Sequence, residues 1–373
     1  MTPKERLTRA IHCRDVDRIP SIGGWMQGLS GLARIAGIST DEFLADPLRG
    51  VVRANKALGV DAMVPPIVPR SLDQVRTAHV SESEHPDVEP EALKQHADSL
   101  PDREADILRG FDAGAERQRY RGDIQKWLTA LEGIELIPTY WEMSGNFPLY
   151  MRFGYEAFLL ACAMYPEAVG KIWWADSILS RERAKILVEL YREFDLPPVC
   201  FAGQDVCNNS GPMVSPQFLR DHYWPHVRRI TEVLVNAGIR LVHHCDGDVR
   251  PVVADFLASG FSGLQGFQYE VGVDLYPLRQ LRAFDGAELY FFAGLSCTRT
   301  LPYGREQDVR DEVDYLIDAT DGRGMLLFTS NVTGPEVPPE NIEAGYRYVK
   351  QFDPRQPREA RHASWPWALT HPD

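Results

Sequence analysis

The feature that most limits what this chain can fold into is an alternation of eight short apolar runs with longer helical stretches. The runs are Ile19 to Gly23, GVDAMVPP (59–66), GIELIPTYWEM (133–143), PPVCFAGQD (197–205), IRLVHHC (239–245), GLQGF (263–267), ELYFFAG (288–294) and GMLLFTSN (324–331). Most lack strict polar–apolar alternation, as expected of strands buried on both faces. Strands of that kind, each followed by a helix, define a parallel α/β fold. Eight of them predict a (β/α)8 TIM barrel. The competing arrangement is a doubly wound open sheet. It usually carries a phosphate-binding signature, and no GxGxxG follows an early strand and no GxxxxGK[ST] occurs.

Helices are expected over 3–12, from Ser39 onward, over 119–132, and from Tyr155 to Phe194 with an interruption near Pro166. A further helix is capped by Ser215, with Pro216 in its first turn and Gly238 as its stop. Others span 251–259, 275–284, 305–320 and 339–351. At 373 residues the chain could hold two average domains or one large barrel. The pattern favours one barrel over 1–353, with a polar, proline-punctuated excursion at 70–118 and a tail at 354–373. The excursion reads as a surface insertion, or alternatively as a lid over a site. The tail has no periodicity. Its Trp365 and Trp367 imply packing onto another surface, such as a second subunit.

A net charge of −13 argues against nucleic acid or an anionic membrane as partner. No apolar run reaches the roughly 20 residues of a membrane span. The six cysteines form no CxxC pair, and the start MTPKERLTR is not a signal peptide. Reduced thiols and a cytoplasmic location are expected.

In a barrel, chemistry belongs at the C-terminal ends of the strands. Those ends carry Trp25, Glu142, Asp205, Cys207, His244, Asp246, Cys297, Ser330 and Asn331. The densest stretch is Phe201 to Val249, where two strands each end in metal-capable residues. Strand alternation sends His244 and Asp246 to one side and His243 and Cys245 to the other. It likewise pairs Asp205 with Cys207. His244, Asp246 and Cys207 are therefore candidate ligands for a divalent metal. A hydrogen-bond network with His244 held by a carboxylate uses the same residues. Glu142, beside Tyr140 and Trp141, reads as an acid–base group or as a partner for an arginine. Asp205, Glu142 and His244 are the catalytic candidates, and Trp25, Tyr140, Asn208 and Asn331 the candidates for touching substrate. Asn208 also suits a simple turn. Cys297 reads as a small buried apolar residue, with a thiolate role as the alternative.

Several segments resemble the uroporphyrinogen decarboxylase superfamily. They are MTPKERLTRAIHCRDVDRIP at the start, Asp205 with the following GPMVSPQFLRDHYWP, HHCDGDV, AGLSCTRTLPYGREQDVRDEV and GPEVPPENIEA. The resemblance runs from about residue 1 to 350 and implies a (β/α)8 barrel of that type. It offers two activities. Decarboxylases of the family grip substrate carboxylates with an arginine-rich stretch near the start. Here that segment is SIGGWMQGLSGLARIAG, with Arg34 as its one arginine. The other branch resembles corrinoid-dependent methyltransferases, many of which hold zinc with a His-x-Cys on the fifth strand and a later cysteine on the eighth. In that register His244 falls on the histidine and Asp246 on the cysteine, while Ser330, Asn331 or Val332 replaces the later one.

The resemblance thus implies a metal-assisted methyltransferase that moves a methyl group from a small O-methyl or N-methyl substrate, such as a methoxyaromatic, to a corrinoid carried by a partner protein. Zinc is the implied metal, in a site richer in oxygen than in sulfur, and a homodimer is implied as the assembly. The alternatives are a decarboxylase of a tetrapyrrole or other carboxylate, and a non-catalytic corrinoid- or tetrapyrrole-binding protein.

Overall fold

The computed structural model describes residues 1–70, 88–356 and 358–371. It is a mixed α/β structure built on parallel strands. Strands β1 (Ile22–Gly23), β2 (Ala62–Met63) and β3 (Glu135–Leu136) form one parallel sheet in that order. A second, curled parallel sheet has the order β10 (Met325–Thr329), β9 (Tyr290–Leu295), β8 (Phe261–Gln265), β7 (Arg240–His244), β4 (Val199–Gly203). Single parallel bridges, Ser21 to Leu327 and Thr139 to Phe201, join the two sheets at either side. Between β4 and β7 the chain makes a small antiparallel pair, β5 (Cys207–Asn208) and β6 (Gly211–Pro212). Each of the eight apolar runs contributes a parallel strand, although the first three strands are only two residues long.

The strands explain their own composition. Val199, Phe201, Val242, Tyr290, Phe292, Leu326 and Phe328, two apart where they share a strand, belong to one buried apolar cluster. Their neighbours Cys200, Ala202, Leu241, Phe291, Ala293, Met325 and Leu327 belong to a second cluster shared with the helices. Both faces are dry, so polar–apolar alternation is missing.

The N-terminal helix Pro3–Ile11 lends Leu7, Ala10 and Ile11 to the first cluster. Thr2 caps it by accepting from the Glu5 amide at 3.1 Å. A buried ion network fastens this end of the sheet. Asp61, 1% exposed, accepts from Arg6 Nη1 at 2.6 Å, from both Arg18 terminal nitrogens at 2.8 Å and from the Ser21 amide at 3.0 Å.

Several helices depart from expectation. Leu29–Ala36, Glu91–Ser99 and Glu104–Leu108 are helical where none was foreseen. Residues 71–87 of the expected polar excursion lie outside the described residues. From Glu91 on, that segment buries Leu93 and Ala97 in the main core, so an apolar stripe too short to register in the sequence suffices for packing. The helix after Ser215 divides into Pro216–His222 and Trp224–Asn236. Pro225 has no amide to continue the first ladder and opens the second helix instead. The helix expected to reach 284 ends at Arg279.

The tail packs on its own chain. Trp365 is buried beside Tyr269 at a centroid distance of 5.4 Å. Arg358 and Arg361 reach Asp314 at 2.8 and 2.7 Å, and the Arg361 and His362 amides donate to Asp318 at 2.7 and 3.0 Å. Trp365 is thus covered by its own chain, while Trp367 is partly exposed. Among the described residues, no helix is long and apolar enough to cross a membrane.

Replacing Asp61 with alanine removes the buried carboxylate that Arg18 and the Ser21 amide share with Arg6, and leaves Arg6 its pair with Asp17. We expect Asp61→Ala to lose about 3–5 kcal/mol of stability, read as a lower urea midpoint with an unchanged slope. An unchanged midpoint would show that the network is not holding this end of the sheet.

Candidate active site

Three adjacent strands bring the site together. Gly203 at the end of β4, His244 at the end of β7 and Gln265 at the end of β8 are register partners across the sheet. Gly203 has φ +128°, and a Cβ there would lie 2.2 Å from the His244 backbone nitrogen and oxygen. Only glycine lets the chain turn off β4 this close to β7. The turn carries Asp205 over the end of β7, where His244 and Asp246 stand.

One ligand-capable atom from each of Asp205, His244 and Asp246 lies within 4.8 Å of the other two. His244 Nε2 is 3.6 Å from Asp205 Oδ1 and 3.9 Å from Asp246 Oδ1. Each member is held from behind. The Asp246 amide donates to Asp205 Oδ1 at 2.8 Å. Asn331 Nδ2 donates to Asp246 Oδ2, while the Asn331 Oδ1 accepts from the Val332 amide at 2.6 Å. His244 Nδ1 is hydrogen-bonded to Gln265 Oε1, and Gln265 Nε2 donates to the Thr329 and Ser330 carbonyls at 2.9 and 2.8 Å.

Aromatic rings wall the group. Trp25 meets the His244 ring edge-on at 5.3 Å, and Trp141 lies at 5.9 Å from the same ring. Phe201 touches both tryptophans. Trp141 is 40% exposed and forms the outer edge. In this setting burial pushes the Asp246 carboxyl up to about 7, with the nearby Asp205 adding to the rise and His244 opposing it. Burial disfavours charge on His244, but Asp246, Asp205 and the Gln265 acceptor outweigh it and raise its pKa.

Of the residues expected at the site, Trp25, Asp205, His244, Asp246 and Asn331 come together. Asn331 touches Asp246. Cys207 does not join the three ligand atoms. The alternation that paired it with Asp205 does not extend past Gly203, where β4 ends, and Cys207 starts the β5–β6 hairpin. It is buried against Cys245 instead, and burial together with a hydrogen bond from the Cys245 thiol to Cys207 raises that thiol far above its usual range. His243 points into the helix layer as expected, stacked on Phe256 at 4.0 Å and edge-on to Phe261 at 4.6 Å. Among the described residues neither of its ring nitrogens has a hydrogen-bond partner, and burial pushes its pKa down to about 3.

Glu142 is not on a strand. β3 ends at Leu136, and Glu142 lies in the 3-10 turn Trp141–Ser144. It accepts from the Tyr120 hydroxyl at 2.6 Å, with Arg119 at 3.6 Å. Tyr140 packs on the same Tyr120 ring at 4.7 Å. Asn208 folds a turn, its Oδ1 accepting from the Ser210 amide at 2.8 Å. Cys297 is buried and its thiol is pushed up to about 12, chiefly by burial. It ties two loops by donating to the Asn331 carbonyl at 3.0 Å.

Gln265 was missed by the sequence reading. Its one signal was a glutamine in the otherwise apolar run GLQGF, where a buried amide must find partners.

No protein-family model matches this chain, and no curated protein matches it in sequence. Among solved structures, a methyltransferase from Methanosarcina mazei is similar in fold. The TM-score is 0.62 with 16% sequence identity, over 94% of this chain and 99% of that one.

A buried carboxyl also supports the loop after β9. Glu312, fully buried, accepts from the Ser296 amide at 2.9 Å, and burial pushes its pKa up to about 7. A raised carboxyl pKa stabilises the fold fully below its unfolded value near 4.5 and loses that contribution as pH rises through about 7. Urea unfolding across this window should show wild type losing on the order of 3 kcal/mol more than Glu312→Gln. Parallel pH profiles for the two proteins would contradict this.

Proposed function

We propose that this chain is a methyltransferase built on a closed (β/α)8 barrel. It moves a methyl group from a small O-methyl or N-methyl substrate, such as a methoxyaromatic, to a corrinoid held by a partner protein. On this reading residues 1–353 form the barrel and 354–373 a tail fastened to it. The likeness in fold to a named methyltransferase supports the class. The two bridges between the sheets support closure.

The observation that carries the reading is the spacing within the acceptor group. Gaps of 3.6 and 3.9 Å from His244 Nε2 are too long for hydrogen bonds. They approach the separation of about 3.3 Å between ligands that share a zinc-sized ion at about 2.0–2.1 Å. Asp205, His244 and Asp246 would hold such a divalent cation, zinc being the choice among borderline metals for one nitrogen and two oxygens. Bound there, it supplies a Lewis acid for the methyl-bearing oxygen or nitrogen.

The chain's own residues do the rest. Trp25, Trp141 and Phe201 offer an apolar wall of mutually inclined rings that excludes water and orients a small, methyl-bearing group beside the acceptors. The helices Tyr150–Phe153 and Tyr155–Met164 expose Met151, Tyr155, Leu159, Leu160 and Met164, apolar side chains suited to a protein that brings the methyl acceptor. Arg34, the one arginine of the segment that would clamp a polycarboxylate, is paired with Glu340 and half-exposed. That pairing weighs against the decarboxylase alternative.

Purified protein is expected to carry roughly one divalent cation per chain and to methylate Co(I) corrinoid from at least one member of a panel of methoxyaromatics and methylamines. Joint replacement of His244 and Asp246 by alanine should lower both cation content and methyl transfer at least ~100-fold. A double variant that keeps its metal and its turnover would remove His244 and Asp246 from the site.

A further inference from the structure

We propose that Gln265 is a positioning residue that locks His244 in the tautomer protonated at Nδ1, leaving Nε2 as a bare acceptor turned toward Asp205 and Asp246. The argument begins with the Gln265 amide. Its nitrogen lies 2.9 and 2.8 Å from the Thr329 and Ser330 carbonyls. Those oxygens can only accept, so the opposite amide orientation would set three acceptors against one another in a buried place. The environment therefore dictates which end of the amide is oxygen. Gln265 is 3% exposed, and water does not compete for these bonds.

With the amide fixed, Oε1 is what faces His244 Nδ1. An amide oxygen cannot donate, so Nδ1 must carry the hydrogen. A neutral His244 then has its lone pair on Nε2, the atom that faces the two carboxylates at 3.6 and 3.9 Å. The short stretch Thr329–Asn331 at the end of β10 thus governs two of the three site residues. It holds His244 through Gln265 and holds Asp246 directly through Asn331. Ligand histidines are commonly oriented by an acceptor on the far ring nitrogen; here a neutral amide fills that place, adding no charge behind the ring.

The tautomer lock stands on hydrogen bonds alone. Its consequence for cation affinity rests on the cation reading given above. Two measurements keep these apart. Long-range proton–nitrogen NMR of histidine-labelled protein without metal, at alkaline pH, reads the tautomer, with His244 assigned by comparison with His244→Gln. Wild type is expected to show hydrogen on Nδ1 and a bare Nε2. Finding hydrogen on Nε2 overturns the proposal without any variant at Gln265. Gln265→Met keeps the volume and removes both functions of the amide. It should shift His244 toward the other tautomer and weaken Zn2+ binding, in competition with a chromophoric chelator, by 10–100-fold. Gln265→Met with an unchanged tautomer and unchanged Zn2+ affinity also overturns it. Wild type that shows the lock but binds neither Zn2+ nor Co2+ would uphold the positioning role and sink the cation reading instead.

Discussion

The site depends on the parallel register of β4, β7 and β8. Gly203, His244 and Gln265 are matched residue for residue across these strands. Because side chains alternate along a strand, a slip by one residue would turn His244 into the helix layer and His243 toward the site. It would also remove Gln265 from reach of the imidazole. Gly203 lets β4 leave the sheet beside His244, and that departure places Asp205. The dry packing of the two strand faces, Phe201 and Val242 on one and Ala202 and Leu241 on the other, is what makes such a slip costly.

The polar centre has an unusual balance. Asp205, His244 and Asp246 point acceptors at one another across gaps too long for hydrogen bonds. The donors that satisfy the two carboxylates, the Asp246 amide and Asn331 Nδ2, lie behind, and the far nitrogen of the His244 ring is taken by Gln265. Burial is the main reason that the Asp246 carboxyl is raised, and the neighbouring Asp205 carboxylate adds to it. A proton relieves the buried charge in the chain alone, and a cation would relieve it more fully. His243, one residue away, shows the contrast. It sits among aromatic rings with no hydrogen-bond partner among the described residues, and burial pushes its pKa down to about 3.

Much of this was legible in the chain. The positions of the eight parallel strands followed from apolar runs bounded by glycine and proline. The opposite facing of His243 and His244 followed from the two-residue period of a strand. That period misled where the strand had already ended. Cys207 was paired with Asp205 by counting past Gly203, and Glu142 was placed on a strand that stops at Leu136. Gln265 gave only a faint signal, since a lone amide in an apolar run does not say which carbonyls it will meet.

Composition and periodicity alone determined the strand order of events, the buried character of both sheet faces and the concentration of polar chemistry after β4 and β7. These are local properties, set by side-chain period and by glycine and proline. Only the tertiary structure decided that Asn331 turns to Asp246 across 85 positions of chain, that Tyr120 takes Glu142, and that Gln265 stands between His244 and the end of β10. Each of those choices depends on which distant atom fills a hydrogen-bonding direction, and sheet register and loop closure set that, not any local pattern.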